Sequence, residues 1–581
     1  MLSLLNRKWL VADPSPDTVA ALSGELKIAP LVARLLVNRG IADPGEARVF
    51  IQPDLGRLPD PFLMLGMREA TDRVVRAIQG GERITVFGDY DVDGVTAAAF
   101  LVHFFRELGT PFSYYLPNRM EEGYGLNVEA LRKIRAEGSS LVISADCGIT
   151  AVREVDAARE MGLDVIVTDH HQLSEEGLPR AVAVLNPHQP GCGYPFRFLS
   201  GVGIVFKLAA AVRSALAQAG WEKEKLPNLK RHLDLFALGT IADMAPLAGE
   251  NHVLSRHGLQ QMTVTAKPGL VALKSIAGLN GSVDARSVAF ALGPRLNAAG
   301  RLGKADVGLH LLTASDLPEA KKMAQTLDDV NQERQEVQKW TQEEAEYLLQ
   351  REIDLERDRV IVLASENFHM GVIGIVAARL AQTHYRPTVL IALRDAKGKG
   401  SARSIPKFNL FKAFRECSSC LVQYGGHAYA AGLNIEQSRV DAFRKAMNEV
   451  GRRILSPGDL VPEVSVDAVL SLADISMAMF KEIQQLSPFG AGNSLPVFMS
   501  RKVAIQDLRF IGKDGQHVRF RAVQGKSHHE AVGFHMREAF ASLDSRGNLF
   551  DLVYEIQTND WNGQEKLQLK LLDLRPDAAE D

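Results

Sequence analysis

The sequence predicts an α/β protein: a parallel-sheet domain, joined by a long helix to a second α/β domain and followed by a small C-terminal β-barrel. Three observations carry this. Between Arg68 and His257 short apolar runs alternate with stretches of helical spacing, the signature of parallel strands whose connecting helices cover both faces of a sheet. A second alternating region opens at Val360-Ile361-Val362-Leu363-Ala364. Beyond Ser456-Pro457-Gly458 the apolar period becomes two, with turn signals between the runs, which predicts a small antiparallel barrel or sandwich.

Residues 1–65 carry Asp-Pro turns (Asp13-Pro14, Asp43-Pro44, Asp60-Pro61) and a short helical stretch from Leu31 to Asn38. They are expected to form an N-terminal extension packed on the main body. Residues 66–312 form the first α/β domain. There Ile84 to Phe87 enters Gly88-Asp89-Tyr90-Asp91-Val92-Asp93-Gly94, and helical spacing runs from Thr96 to Leu108. Leu141-Val142-Ile143 enters Ser144-Ala145-Asp146-Cys147-Gly148, and Val165-Ile166-Val167 enters Thr168-Asp169-His170-His171. Residues 313–358 are polar and helical, with a sparse stripe of Leu327, Val330, Val337 and Trp340, as in a helix that bridges domains. Residues 359–455 form the second α/β region and 456–581 the barrel, with strands at His517 to Val523, Asp551 to Ile556 and Lys566 to Leu574 and a turn at Asn559 to Gly563.

The 581 residues are 46% hydrophobic and 24% charged, an ordinary globular balance. A net charge of -3 means that any nucleic-acid surface must concentrate its cations locally. The best membrane candidate, Leu199 to Ala219, is interrupted by Lys207 and Arg213, and the N-terminus is too short in apolar residues for a secretory signal. A cytoplasmic, nucleoid-associated protein is expected. Four cysteines with a lone Cys417-x-x-Cys420 make no zinc ribbon and read as reduced thiols. Gly201-Val202-Gly203 begins like a dinucleotide fingerprint, but Phe206 stands where the third glycine is required. No phosphate-binding Walker A run is present, which argues against a nucleotide-driven motor.

The chemistry is concentrated after the predicted strands. Asp91 with Asp93, Asp146, and Asp169 with His170 and His171 each follow one, and in open α/β sheets these strand ends line the ligand crevice. Asp243 follows the apolar run Leu235 to Leu238. One aspartate after a strand usually caps the next helix. Several meeting in one crevice repel one another unless divalent cations lie between them. Carboxylates with imidazole suit Mn²⁺, with Mg²⁺ as a substitute.

Positive charge is concentrated from Arg394 to Arg415, where seven Lys and Arg face one acid, Asp395. Within it Lys397 to Ser404 is expected as a flexible basic loop, and the amides of Gly425-Gly426 as a phosphate cradle. His427 is either a stacking or hydrogen-bonding group at the strand or a buried core histidine. The barrel mixes Arg509, Phe510, Lys513, His517, Arg519, Phe520 and Arg521, a composition suited to stacking bases and contacting phosphates, with Phe510 or Phe520 interior.

In this order the motifs resemble those of the DHH phosphoesterase superfamily, with a close match to its bacterial branch specific for single-stranded DNA, over nearly the whole chain. Gly88 to Gly94, Ser144 to Gly148, Thr168 to His171 and Thr240-Ile241-Ala242-Asp243 look like its four catalytic motifs. Gly293-Pro294-Arg295-Leu296-Asn297-Ala298-Ala299-Gly300-Arg301 is similar to a run of that branch. Gly425-Gly426-His427 with Ala431-Gly432 looks like the DHH-associated domain. The resemblance implies Asp91, Asp93, Asp146, His170 and Asp243 as direct ligands of two divalent cations, with Asp146 bridging. Asp89, Asp169 and His171 become close neighbours or ligands in one metal state. It also implies 5′→3′ hydrolysis of single-stranded DNA in repair and recombination. Arg119, Arg295, Asn297, Arg301, Ser401, Arg403, Gly425, Gly426 and His427 are then expected to contact substrate. The barrel is expected to be an OB-fold, and the partners single-strand binding protein and a RecQ-type helicase. His171 is the expected proton donor to the phosphate or the leaving 3′-oxygen. One position departs: many relatives carry His where this chain has Phe87. The rival readings are a DHH enzyme for short RNAs, cyclic dinucleotides or pyrophosphate, which would lack the barrel, and a DNA-binding scaffold, which would lack the metal ligands.

Overall fold

The computed structural model describes residues 2–577 apart from 118–121, 123–124, 175–176, 302–304, 542, 544–547 and 562–563. Its contacts divide into two compact units, one of Ile41–Gln332 with Gln485–Leu495, the other of Met1–Gly40, Glu333–Gln484 and Pro496–Asp581. The first 65 residues are therefore not one extension. Strand β1 (Lys8–Val11) and the helix Pro30–Asn38 belong to the second unit, and the chain beyond Gly40 belongs to the first. Two of the three Asp-Pro pairs start helices. Asp43 caps Pro44–Ile51 by accepting from the Glu46 amide at 2.8 Å, and Asp60 caps the short turn Pro61–Leu63. Proline at the first helical position costs no hydrogen bond there.

The first unit is built on five parallel strands, β2 (Ile84–Gly88), β3 (Phe112–Tyr115), β4 (Leu141–Ala145), β5 (Asp164–Thr168) and β6 (Ala183–Leu185), in the order β3-β2-β4-β5-β6. Because β2 is flanked by β3 and β4, the order reverses there, and a crevice opens at the C-terminal ends of these strands. The helices Val92–Leu108 and Gly201–Gln218 pack on one face, with Phe100, Phe104 and Val205 in the core. Val128–Ala136 and Val152–Glu160 cover the other, around Phe87, Val142 and Val165. Gly201–Gln218 is long and apolar enough to cross a membrane, but 67% of it is buried inside the protein. Its Lys207 is buried in an ion pair with Glu250 and donates to the Pro59 carbonyl at 3.2 Å, so the interior charge is compensated. The apolar run before Asp243 is a helix, Leu233–Ala242.

The helix Leu317–Glu352 runs for 36 residues, as its sparse stripe predicts. In the second unit come β7 (Ile361–Ser365), β8 (Thr388–Arg394), β9 (Lys397–Arg403), β10 (Gln423–Gly426) and β11 (Ala430–Glu436), in the order β10-β11-β9-β8-β7. Here the expectation of a flexible basic loop at Lys397 to Ser404 is overturned. Residues Lys397–Arg403 are the central strand, paired on both edges. Its inward positions are Gly398, Gly400 and Ala402. A Cβ at 398 would lie 2.6 Å from Ile391 Cγ2, and one at 400 would lie 2.8 Å from Leu433 Cγ. The glycines serve close packing, and they disguise the alternation that marks a strand.

Strand β12 (Glu463–Val466) pairs in parallel with β1. After it come β13 (Ala468–Val469), β14 (Val497–Ile511), β15 (His517–Gln524), β16 (Ser527–Gly533), β17 (Leu549–Trp561) and β18 (Gln564–Pro576). The order β14-β15-β16-β18-β17 closes through β14–β17 into a five-stranded barrel, the OB-type architecture. Strand β14 bends around it at two register shifts, between Ser500 and Val503 and between Gln506 and Arg509. Phe520 fills the interior, whereas Phe510 is exposed beneath the Arg537 guanidinium at 5.1 Å. All four cysteines are free thiols.

Gly398→Ala is expected to destabilise the second unit by about 1–3 kcal/mol through overpacking. Lys397→Ala should stay within about 0.5 kcal/mol, as surface changes do. Urea unfolding midpoints of the full chain test this, and an unshifted Gly398→Ala midpoint would contradict the packed strand.

Candidate metal centre

The sheet delivers its acids to one edge. Strand β2 ends at Gly88, Asp89 follows, and Asp91 caps the helix Val92–Leu108 by accepting from the Gly94 amide at 3.0 Å. Asp93 lies in the first helical turn. Asp146 follows β4 with φ 67°, left-handed backbone that only short polar side chains tolerate readily. Asp169, His170 and His171 follow β5, and Asp243 caps the C-terminus of Leu233–Ala242.

Ligand-type atoms come within 4.8 Å of one another in three groups: Asp89, Asp91 and Asp146; Asp146, His170 and His171; Asp93, His170 and Asp243. Asp146 and His170 each belong to two groups. The His170 Nε2 lies 3.2 Å from Asp146, 3.9 Å from Asp93 and 3.9 Å from Asp243. The five expected ligands therefore meet, and Asp89 and His171 stand beside them. Asp169 belongs to no group among the described residues. Its Oδ1 accepts from the backbone and Nδ1 of His171 at 2.9 and 2.8 Å, and its Oδ2 accepts from the Ile149 amide at 2.9 Å. It orients His171 instead of offering an oxygen to the centre. Phe87 is buried and stacks on Tyr115 at 5.4 Å, so position 87 supplies no donor.

Burial pushes Asp146 well above the usual carboxylate range, and the charges of Asp93 and Asp91 add to it. Burial, with Asp91, raises Asp93 to about 7; burial, with Asp93, raises Asp243 to about 8. Burial lowers His170 to about 4, which keeps the imidazole neutral as a ligand requires. For His171 burial is the largest single influence and opposes charging, but the hydrogen bond to Asp169 and the charges of Asp169, Asp91 and Asp243 together outweigh it and raise the ring to about 9. Carboxylates this close cannot all ionise without countercharge. Oxygens with one neutral imidazole form a donor set that fits divalent cations such as Mn²⁺ or Mg²⁺.

Several contributors carried no recognised signal in the sequence. Asp93 accepts from the amides of Gly201 and Val202 at 2.6 and 2.9 Å. The start of Gly201–Gln218, a broken dinucleotide fingerprint by sequence, is thus a helix N-terminus that binds an anion of its own chain. A Cβ on Gly201 would lie 2.4 Å from Asp146 Oδ1. Met244, next to Asp243, is 74% exposed in left-handed backbone. The Gly293–Arg301 run is recognised in the sequence, with Asn297 expected at the substrate; here Asn297 accepts from the Val92 amide at 3.2 Å, and a Cβ on Gly300 would lie 2.7 Å from the Tyr90 carbonyl, so the run buttresses the first acidic loop. Arg295, expected at the substrate, is held by Asp328 at 2.8 Å and by the Ala291 carbonyl. Arg119 and the side chain of Arg301 lie outside the described residues.

In the second unit, the Arg403 guanidinium donates to the Ala402 carbonyl at 2.8 Å and to Ser401 Oγ at 3.3 Å. It has no carboxylate partner among the described residues, and burial lowers its pKa. The first turn of the helix Ile373–His384 closes on it: a Cβ on Gly374 would lie 3.0 Å from Ser401 Oγ and 3.2 Å from Arg403 Nη2. His427 is exposed, which removes the core-histidine reading, and Gly425 and Gly426 are exposed on β10.

In chelator, the folded centre holds protons on Asp93 and Asp243 that the unfolded chain has already released. Stability of the metal-free protein should therefore fall as pH rises from the ordinary carboxylate range to about 8. Mn²⁺ should raise Tm more at pH 8.5 than at pH 5.5. A gain independent of pH, or one that survives Asp146→Ala, would contradict the shared centre. Gly201→Ala should also lose the Mn²⁺-induced gain, because its Cβ occupies the place of the Asp146 carboxylate.

Comparison with known proteins matches this architecture. The DHH family N-terminal domain matches residues 83–240, the DHHA1 domain 357–452 and the RecJ OB domain 466–573. The single-stranded-DNA-specific exonuclease RecJ of Bacillus subtilis (strain 168) is 40% identical over 570 residues, 97% of this chain and 70% of that relative. The protein of the same name from Escherichia coli (strain K12) is 34% identical over 574 residues, 96% of this chain and 98% of its own. The crystal structure of RecJ in complex with Mn²⁺ from Thermus thermophilus superposes with a TM-score of 0.84 at 30% identity, covering 98% of this chain and 80% of that one. A Mg²⁺ complex of RecJ from the same organism gives 0.77 at 29% identity, covering 98% and 79%. With the acidic edge, the helix-linked second sheet and the closed barrel all matched over nearly its full length, the chain belongs to the RecJ family of DHH proteins.

Proposed function

We propose that the protein is a single-stranded-DNA-specific 5′→3′ exonuclease that hydrolyses phosphodiesters to 5′-mononucleotides in DNA repair and recombination. The observation that carries this is the sharing of Asp146 and His170 between ligand groups at the sheet edge, an arrangement suited to two adjacent divalent cations. Mn²⁺ is the preferred ion and Mg²⁺ the alternative. When bound, such a pair supplies activation of water and neutralises charge on the attacking and leaving oxygens.

The chain's own residues do the rest. Asp89, Asp91, Asp93, Asp146, His170 and Asp243 would hold the cations, with Asp146, shared between two ligand groups, able to serve both. Asp93 is held in place by the Gly201 and Val202 amides. His171, charged and fixed by Asp169, donates its proton to the phosphate or the leaving 3′-oxygen. Arg403 and Ser401 hold the 5′-phosphate, because a half-buried guanidinium with no acid partner among the described residues gains most from an anion. Gly425, Gly426 and His427 support the adjoining strand, and the family resemblance adds Arg119 and Arg301 to the phosphate contacts.

Residues 66–312 form the catalytic domain, 313–358 the connecting helix, 359–455 the DHH-associated domain and 456–581 the OB domain, which binds single strands. On the barrel, Phe510 under Arg537 and Phe534 beside His517 at 5.2 Å offer stacking surfaces. Arg519 and Arg521 are engaged by Glu530 and Asp507, which leaves Arg509 and Lys513 as the phosphate contacts. The cellular setting is the cytoplasm at the nucleoid, with single-strand binding protein and a RecQ-type helicase as partners.

Digestion of end-labelled strands tests the reading. A 5′-label should leave at once as mononucleotide, a 3′-label should shorten gradually, and duplex and chelated reactions should stay intact. Immediate mononucleotide release from the 3′-label would reverse the polarity. Asp146→Ala should lower turnover by more than about 100-fold, beyond the usual cost of outer-shell changes, while retaining single-strand binding.

A further inference from the structure

Asp243 is held differently from the ligands at the strand ends. Its carboxylate lies 3.9 Å from His170 and accepts no hydrogen bond among the described residues, so its place is set by its backbone. That backbone closes the helix Leu233–Ala242 with two bonds, from the Met244 amide to the Ile241 carbonyl at 3.2 Å and from the Ala245 amide to the Thr240 carbonyl at 3.1 Å. The closure puts Met244 in left-handed backbone, with φ 62°, where glycine is the usual residue. A side chain keeps such a conformation when its surroundings impose it.

The imposing neighbour comes from far along the chain. Gln485–Leu495 lies between β13 and β14, yet it belongs to the first unit, with Ile41–Gln332. The Leu247 amide donates to the Ala491 carbonyl at 2.7 Å. Two glycines press on the same turn. A Cβ at Gly490 would lie 2.8 Å from Leu247 Cδ1, and one at Gly492, where φ is 71°, would lie 2.9 Å from Pro246 Cβ. The segment is braced from within. Asn493 is 1% exposed, and its side-chain amide donates to the Leu486 and Pro488 carbonyls at 2.8 and 2.9 Å. Gly490 and Asn493 exchange both backbone hydrogen bonds. The helix Gly249–Val264 grips the start of the segment: Arg256 donates to the Gln485 carbonyl at 2.7 Å and His252 to the Leu486 carbonyl at 3.3 Å. From the same helix the Asn251 amide donates to the Pro246 carbonyl at 3.1 Å. Pro246 and Leu247, just beyond Asp243 in the chain, are thus fixed from two directions.

We infer that Gln485–Leu495 is a latch that seats Asp243 in the metal centre, with Asn493 as its positioning residue. The inference rests on the reading of Asp243 as a cation ligand. Asn493 touches none of the ligands. It holds the loop that holds the turn that carries one. A segment C-terminal to the second sheet thereby sets part of the geometry of a centre whose other ligands lie between Asp89 and His170.

Isothermal titration calorimetry of the full chain with Mn²⁺, beside thermal melts in chelator, tests it. Asn493→Ala removes both carbonyl ties, and Gly492→Ala pushes on Pro246 while leaving the side-chain hydrogen bonds in place. Each should weaken Mn²⁺ binding by about tenfold, the low end of what a residue behind a ligand costs. In an Asp243→Ala background neither should weaken it further, because a latch acting through Asp243 has nothing left to seat. Wild-type Mn²⁺ affinity in both variants, alongside a loss in Asp243→Ala, would overturn the latch alone. Equal losses with and without Asp243 would overturn it too, since the segment would then act through the fold at large. So would the absence of a cooperative melt in both variants. Wild-type affinity in Asp243→Ala would instead overturn the ligand reading, and the latch with it.

Discussion

Five buried or half-buried aspartates and one neutral histidine occupy a volume in which they cannot all be charged, and much of the first unit is arranged around that conflict. The parallel sheet brings Asp89, Asp91, Asp146 and His170 to one edge because strands that run the same way end on the same side. The helices then supply what the strands cannot. The amides that begin Gly201–Gln218 satisfy Asp93, and Leu233–Ala242 ends with Asp243 beside them. Glycines at 201 and 239 leave room, since a Cβ at either would reach a carboxylate oxygen, of Asp146 or Asp93 respectively. The fold tolerates the crowding because cations resolve it, and the same crowding makes the edge a site.

The two histidines next to each other show how local contacts divide roles between like residues. His170 faces carboxylates on several sides, and burial keeps it neutral. His171 is tied to Asp169, whose carboxylate is held below its usual range against burial chiefly by the hydrogen bond and charge of His171, with the His171 and Ile149 amides adding to them, and His171 carries charge. One ring suits a cation and the other a phosphate. The Asp169 carboxylate achieves this with side-chain hydrogen bonds to the loops that follow two adjacent strands, β4 and β5.

The sequence was legible where periodicity and chemistry coincide. Apolar strands ending in Asp-rich loops located the centre, and period-two runs located the barrel. It was less legible where glycine or proline has two meanings. Lys397–Arg403 alternates, but its inward residues are glycine and alanine, so it resembles a flexible loop until Ile391 and Leu433 are seen against it. Asp43-Pro44 resembles a turn and is a helix cap. Gly201-Val202-Gly203 resembles half a nucleotide motif because both uses need small residues at a helix start; only Asp93 shows which anion it binds. Arg295 lay in a functional run, yet its partner, Asp328, is 33 residues away and invisible to motif reading. Asp243 follows a helix, so the strand-end argument could not reach it and family resemblance did.

The tie between Asp93 and the Gly201 and Val202 amides closes a loop of 108 and 109 residues. Long-range closure of this kind is late in folding, because chain entropy must be lost before the contact forms. A ribosome-bound chain that has exposed only the motifs through His171 has its acidic strand-end loops and no helix to seat Asp93, and it still lacks Asp243. The acidic cluster can therefore be assembled in full only after the chain has been made as far as Asp243. The cluster that would hold the cations is thus incomplete through the early part of synthesis, simply from the order of its residues along the chain.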